Sequence, residues 1–388
     1  MDLPLKGLIV LEFSQYLSVP SAGLRMADLG ARVIKVEKPG VGDAGRKLAI
    51  KNLWVDENSL LFHTINRNKE SVVADLKNPE DLAWIKKLVA KADVLVHNFR
   101  PGVMEKNGLD HAAAHAINPR LVYAELSGYG KKGPWKNKPG QDLLLQSITG
   151  LAFTTGNASN GPVPFGISIA DILCGAQLVQ GILGALIRRQ KTGKGALVEI
   201  SLLETLLDFQ FELLTTYFAS GQLPRRTMAN NGHPLLSAPY GLYATKDSFI
   251  ALAMMDIQVL ATAIDCAALK KYSSDTAFKE RDEIKNILSA HLATQNTAYW
   301  IECLHGYNLW AMEVLNWRQM SEQPAYQLLQ AEQTIQTKKG AFITTRCPIR
   351  INRKKLFAEK PAPQLGEHTH MIKAELMNGV ENGITNMI

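Results

Sequence analysis

Residues 1–200 alternate between two hydrophobic periods, and that alternation restricts the chain to a small set of folds. Residues 8–13 are an apolar run of strand length, 20–29 carry a helical repeat closed by Gly30, and 31–37 return to β-branched side chains. Residues 71–76 read as a strand. Asn78, Pro79, Glu80 and Asp81 then supply a cap, a helix-starting proline and acids for a first turn, which predicts a helix to about Ala92. A strand at 93–99, a short helix at 110–117 and a strand at 120–126 follow. A strand at 164–169, a strongly apolar helix at 172–189, a turn at 191–195 and a strand at 197–201 continue the pattern. Strands joined through helices by short connections bury both sheet faces, so the expected fold class is α/β with a parallel, Rossmann-like sheet.

The rhythm changes near residue 205. A chain of 388 residues is long for a single core, and two units are expected. Residues 1–205 read as the first part of a large Rossmann-like domain and 206–226 as a linker helix with its linker. Residues 227–325 read as a smaller α+β domain with strands at 241–244 and 249–253, and 326–388 as a tail returning to the large domain.

Cys174, Cys266, Cys303 and Cys347 are scattered, with no CxxC pair or zinc spacing, so neither a disulfide framework nor a structural metal is expected. The opening residues lack the layout of a signal peptide. The apolar stretch at 178–187 is short for a bilayer and interrupted by Gln180 and Gly181, so a soluble, cytoplasmic protein with no membrane partner is expected. The net charge of +7 is spread along the chain rather than clustered, which argues against nucleic acid but admits a small ligand bearing several phosphates.

Gly128-Tyr129-Gly130-Lys131-Lys132-Gly133 fits the dinucleotide fingerprint in spacing, but Pro134 and Trp135 follow where a helix should open. A glycine-rich turn is the better reading. Gly166-Ile167-Ser168-Ile169-Ala170 loosely matches a nucleophile elbow, with alanine in place of the second glycine and no His–acid pair downstream. Asp171, where the strand at 164–169 meets the apolar helix, suits an N-cap; a carboxylate held ionised at a helix start also suits a nucleophile. Asp142 has the same two readings. Arg67, Lys69, Arg100, Lys131 and Lys138 fall at strand ends or in loops, as solvated charges or as an anion-binding set.

Taken together these segments resemble the class III CoA-transferase family, which includes formyl-CoA and carnitine CoA-transferases and 2-methylacyl-CoA racemases. The likeness runs through the chain in order: Leu5-Lys6-Gly7, Asp28 to Glu37, Gly40 to Asp43 with Arg46, Asn66 to Lys69, Asp75-Leu76-Lys77, Ala92 to Val96, and Asn98 to Gly102. It continues with Asn118 to Leu121, Ser127 to Gly130, Gly140-Gln141-Asp142, the Asp171 segment with its Lys191–Gly195 turn, Gly232-His233-Pro234, Ala238 to Gly241, and Leu365 to Thr369.

The resemblance implies a Rossmann-like large domain, a smaller α+β domain and an interlocked homodimer. It makes Asp171 the catalytic nucleophile, supported by Gln141, Asp142, Gln15, Leu17 and Gly232. It places Lys38, Arg67, Lys69, Arg100 and Lys138 against the phosphates of CoA, with Asn98, Phe99 and Ala31 shaping its adenine and ribose end. The partners implied are an acyl-CoA and a small carboxylic acid, with no metal and no cofactor beyond CoA itself. Backbone N–H groups after Asp171, or in the Asn231–Gly232 turn, would stabilise developing oxyanions. The racemase branch carries a histidine where this chain has Gln141, whose amide is no base, which favours CoA transfer over the alternative of racemisation. A non-catalytic acyl-CoA binder would have no use for Asp171. Formyl-CoA transferases carry glutamine where this chain has Leu17, so formate and oxalate are not the expected pair; Tyr16, Leu17 and Leu235 suggest an acid with some apolar bulk.

Overall fold

The computed structural model describes residues 3–384, with side chains as far as Met377. Two compact units emerge, one from Met1–Leu145, Ser168–Leu206 and Gln330–Ile388, the other from Gln146–Ile167 and Leu207–Leu329.

The first unit is built on six strands: β1 Ile9–Phe13, β2 Arg32–Glu37, β3 Glu70–Val73, β4 Val94–His97, β5 Val122–Ser127 and β6 Ala196–Ser201. They lie in the order β3-β2-β1-β4-β5-β6, every neighbouring pair parallel. This is the strand order of a doubly wound α/β sheet, whose direction of winding reverses between β1 and β4. Ligand sites in such sheets open at that switch point, outside the carboxyl ends of the strands.

Alternation along each strand sends Leu11, Phe13, Ile34, Leu95 and Tyr123 into one core, shared with Ile85, Leu88 and Val89 of the helix Pro79–Lys91. That helix starts as its sequence demands: Pro79 opens it, and the Asn78 side chain accepts from the N–H groups of Glu80 (2.8 Å) and Asp81 (3.4 Å). Helix α1 (Ser18–Asp28) packs along the 24-residue helix α2 (Ile169–Thr192). Gly175 permits the close approach, since a Cβ there would sit 2.7 Å from the Ser18 carbonyl and overlap the Ser21 hydroxyl. By length and apolarity α2 could cross a membrane, contrary to the expectation from residues 178–187; in this fold it packs on α1, β5 and β6.

The tail covers the exposed edge at β3. His368 N–H donates to the Ser71 carbonyl (2.9 Å), Gly366 N–H to the Ser71 hydroxyl (2.9 Å), and Val73 N–H to Thr369 Oγ1 (3.0 Å). Glu375, on the last helix, accepts both ends of the Arg32 guanidinium at 2.7 and 3.1 Å.

The second unit carries a three-stranded antiparallel sheet, with Phe249–Leu252 between Gly241–Ala244 and Ala311–Glu313. Its own core includes Tyr243, Ile250, Leu260, Ile284, Leu288 and Trp300.

Two expected elements differ. The strand expected at 164–169 does not form: residues 161–168 are irregular, because Gly161, Pro162, Pro164 and Gly166 interrupt the run and the prolines donate nothing to a ladder, and Ile169 already opens α2. The linker helix expected within 206–226 is two helices, Leu202–Phe209 and Phe211–Ser220, broken at Gln210.

Candidate active site

Because α2 begins at Ile169, Asp171 lies in its first turn and Ser168 is the N-cap, so the capping reading of Asp171 is set aside. The same early start commits the first amide after Asp171, one of those expected to stabilise an oxyanion, and Asp171's own amide is engaged as well. Ile172 N–H is bonded to the Ser168 carbonyl at 3.2 Å, and Asp171 N–H to Asp142 Oδ2 at 3.1 Å. Asp142 opens the helix Asp142–Ile148 and is buried. Two carboxylates thus meet at the start of α2. Burial, then the negative charge of Asp142, push the Asp171 carboxyl up to about 6, while a hydrogen bond from the Ser18 hydroxyl pulls the other way. At neutral pH the group is ionised yet more basic than an ordinary aspartate, which suits a nucleophile.

Ser18 is the first residue of α1, and the Gly175 crossing is what brings it to Asp171. A second close approach places Asp142. A Cβ on Gly140 would lie 2.7 Å from Gly128 Cα, so only glycines let the chain after β5 cross itself there. Between those glycines run bends and turns with no helix, in keeping with a glycine-rich turn rather than a dinucleotide fingerprint. Gln141, next to Asp142, is exposed.

Gln15, Tyr16 and Leu17 form the turn from β1 into α1, at the switch point. The Gln15 main chain exchanges two hydrogen bonds with the Asn98 side chain beyond β4: its N–H donates to Oδ1 (3.0 Å), and its carbonyl accepts from Nδ2 (2.8 Å). Tyr16 N–H donates to Asp43 Oδ1 (3.0 Å). Below this turn lies a buried ionic cluster. Lys35 Nζ is 2.9 Å from Glu12 and 2.8 Å from Asp43, and Lys69 Nζ is 2.9 Å from Glu12, all four side chains inaccessible to solvent or nearly so. Burial alone would raise the Glu12 carboxyl, but the ammonium groups of Lys69 and Lys35 outweigh it and hold the group below its usual range.

The expected CoA-facing cations therefore divide. Lys69 is 1% exposed and donates to Glu12, the Pro20 carbonyl and Asn66 Oδ1; burial brings its ammonium down to about 8. Arg67 is likewise 1% exposed, held by Asp28 at 3.3 Å and the Thr64 carbonyl at 2.7 Å. Both are internal ion-pair members rather than phosphate ligands. Ala31 is buried at the amino end of β2, across the sheet from the carboxyl-end crevice, and leaves the site as well. Lys38, Arg100 and Lys138 are exposed, with Lys38 just beyond the carboxyl end of β2. Phe99 and Arg100 line a cavity of about 390 Å³ at the carboxyl ends of β4, β5 and β6, with His97, Tyr123, Glu125 and Lys131. There Lys131 Nζ lies 2.5 Å from Glu125 and His97 Nε2 3.5 Å from it. Gly232 belongs to the second unit, packed on the Tyr240 ring and Gly241, where it lines a cavity of about 860 Å³.

Sequence reasoning missed Ser18, Asp43 and the cluster. The available signal was Glu12, the one charge in β1, and Lys35, set between Ile34 and Val36 in β2; charges flanked by apolar neighbours in a sheet covered on both faces can only be buried if they pair.

The model of CoA-transferase family III matches residues 5–369, and the chain belongs to that family. It is similar to the acetyl-CoA:oxalate CoA-transferase of Acetobacter aceti, 32% identical over 381 residues that cover 96% of this chain and 95% of that one. Against the succinate–glutarate CoA-transferase of Agrobacterium fabrum it is 31% identical over 385 residues, 96% of each chain. A solved CAIB/BAIF family protein from Brucella suis superposes with a TM-score of 0.84 at 29% identity, covering 97% of this chain and 100% of that one. The resemblance drawn from ordered motifs is thereby shown, and the protein is an enzyme of the CoA-transferase class.

Proposed function

We propose that the enzyme transfers coenzyme A from an acyl-CoA to a free carboxylic acid through covalent intermediates on Asp171. Its carboxylate attacks the donor thioester carbonyl, the C–S bond breaks, and CoA thiolate leaves an acyl–aspartyl anhydride. The thiolate then attacks the aspartyl carbonyl, forming an aspartyl-CoA thioester and releasing the donor acid as its carboxylate. The acceptor carboxylate enters, and the two steps run in reverse on the new acyl group. Each step exchanges one activated acyl bond for another.

The observation that carries this reading is the carboxylate pair at the start of α2, which leaves Asp171 ionised at neutral pH yet unusually basic. Exposed Lys38, Arg100 and Lys138, with the cavity lined by Phe99 and Lys131, support a nucleotide held at the carboxyl ends of the strands. Relatives named for oxalate, succinate and glutarate support a short dicarboxylic acid as one substrate. A racemase needs a base where Gln141 stands. We further propose that two copies interlock, which the exposed Phe218 (74%) and Leu223 (79%) support.

The test incubates the enzyme with a panel of acyl-CoAs and free acids, using mass spectrometry to follow new thioesters and a CoA-sized adduct on Asp171. Asp171→Ala should lower turnover by at least about a thousandfold while CoA affinity stays close to wild type. Undiminished transfer by that variant would remove the mechanism, and α-proton exchange without an acceptor acid would favour a racemase.

A further inference from the structure

We infer that Asn98 and Asp43 are positioning residues for the transfer reaction, clamping the main chain of Gln15 and Tyr16 across the switch point so that Ser18 is aimed at Asp171. This rests on the reading of Asp171 as nucleophile.

The turn from β1 into α1 has little else to hold it. The side chains of Gln15 and Tyr16 are exposed, so core packing fixes neither. Leu17 caps α1 without a side-chain hydrogen bond. Tyr16 has φ 65°, a left-handed conformation that a residue with a Cβ adopts only when its surroundings enforce it. Three successive residues are nevertheless gripped. Ser14 receives two bonds from Lys35 Nζ, to its carbonyl (3.2 Å) and hydroxyl (2.8 Å). Gln15 is held at both N–H and C=O by Asn98, and Tyr16 by Asp43. Asp43 is itself immobilised, its carboxylate on Lys35 and Gly45 N–H (2.8 Å), and its own N–H on Glu37 (2.9 Å).

A buried ion cluster adds little net stability over an apolar core of the same volume, because desolvation offsets the attraction. Its distinctive property is fixed geometry, and here that geometry terminates on the main chain of Ser14 and Tyr16. Asn98 completes the grip from β4, across the crevice where sheets of this winding bind their ligands. The resemblance gives Asn98 a place at the nucleotide end of CoA. In this structure both ends of its amide are already engaged with Gln15, and the side chains of Gln15 and Tyr16 are left facing solvent while their backbone is held by hydrogen bonds.

The test compares wild type, Asn98→Ala and Asp43→Asn for kcat, KM, CoA affinity by calorimetry and thermal midpoint, with Asp171→Ala alongside. A misaimed catalytic group lowers kcat, on the order of tenfold to a hundredfold, with CoA affinity within about twofold of wild type. An unchanged kcat in Asn98→Ala would overturn the clamp. So would a kcat loss matched by an equal loss of CoA affinity, which would make Asn98 a ligand contact, or one matched by a collapse of the thermal midpoint. Asp43 is buried, so if Asp43→Asn does not fold the half-buried Asn98 site decides alone. Full activity in Asp171→Ala would strike the nucleophile reading, an outcome separate from any result at Asn98.

Discussion

A carboxyl set beside a second carboxylate holds its proton more tightly, and a third group can bias the balance. Asp171 meets Asp142 on one side and the Ser18 hydroxyl on the other, so the two neighbours move its carboxyl in opposite directions. The nucleophile must be ionised, so turnover should fall as pH drops through about 6. Asp142→Asn keeps an oxygen for the Asp171 N–H and removes the charge; its acid limb should shift downward in a pH profile of kcat. Ser18→Ala should shift that limb upward. Cys174, one turn along α2, is the other titratable neighbour; burial pushes its thiol up to about 12, so it is uncharged across this range. Stability follows the same shift. A carboxyl whose folded value lies above its unfolded one favours the native state at low pH, and that contribution is lost as pH rises through about 6. Asp171→Asn should therefore resist urea better than wild type above about pH 7, by roughly 1–3 kcal/mol, with the gain vanishing below about pH 4. A fixed difference at every pH would contradict this origin. Sequence spacing made Asp171 and Asp142 visible, since each opens a run of apolar residues. It could not reveal Ser18, because that contact is created by a helix crossing between residues far apart in the chain.

The crossing of α1 over α2 is the element on which the site depends. Gly175→Ala would drive a Cβ into the Ser21 hydroxyl and the Ser18 carbonyl, forcing the helices apart. Overpacking of this kind costs about 1–3 kcal/mol, and because Ser18 would retreat from Asp171, kcat should fall further than the thermal midpoint alone explains. Gly23, on α1, is pinned in the same manner above Glu12 and Lys69. The strands of the sheet and the helix Pro79–Lys91 were legible because hydrophobic period and capping chemistry are local properties. The irregular 161–168 segment misled because its apolar residues mimic a strand while its prolines and glycines forbid one. Arg67 and Lys69 misled for a different reason: charge is written in the sequence, but whether a cation faces solvent or a buried carboxylate is decided by tertiary packing. Ala31 failed because a motif match preserves order along the chain and says nothing about which end of a strand a residue occupies.

Seen as a whole, each unit is assembled from separated stretches of chain, the first from three and the second from two. The final stretch brings Ile372 and Leu376 into the first unit's core and supplies the acceptors and donors that β3 would otherwise lack. Removal of residues 361–388 should leave Ser71 and Val73 groups unpaired and Arg32 without Glu375. A loss of at least about 3 kcal/mol is expected, measured as a lowered thermal midpoint or a shift of the product into the insoluble fraction. A midpoint within a degree or two of wild type would show the tail to be dispensable. The arrangement also constrains how the protein is made. A ribosome finishes β1 to β4 early, yet the covering for β3 is translated nearly 300 residues after it. Throughout that interval the nascent sheet presents an open edge, a template for pairing with other chains. The rate of elongation and the supply of chaperones should therefore govern the yield of active enzyme more than the temperature stability of the finished molecule does.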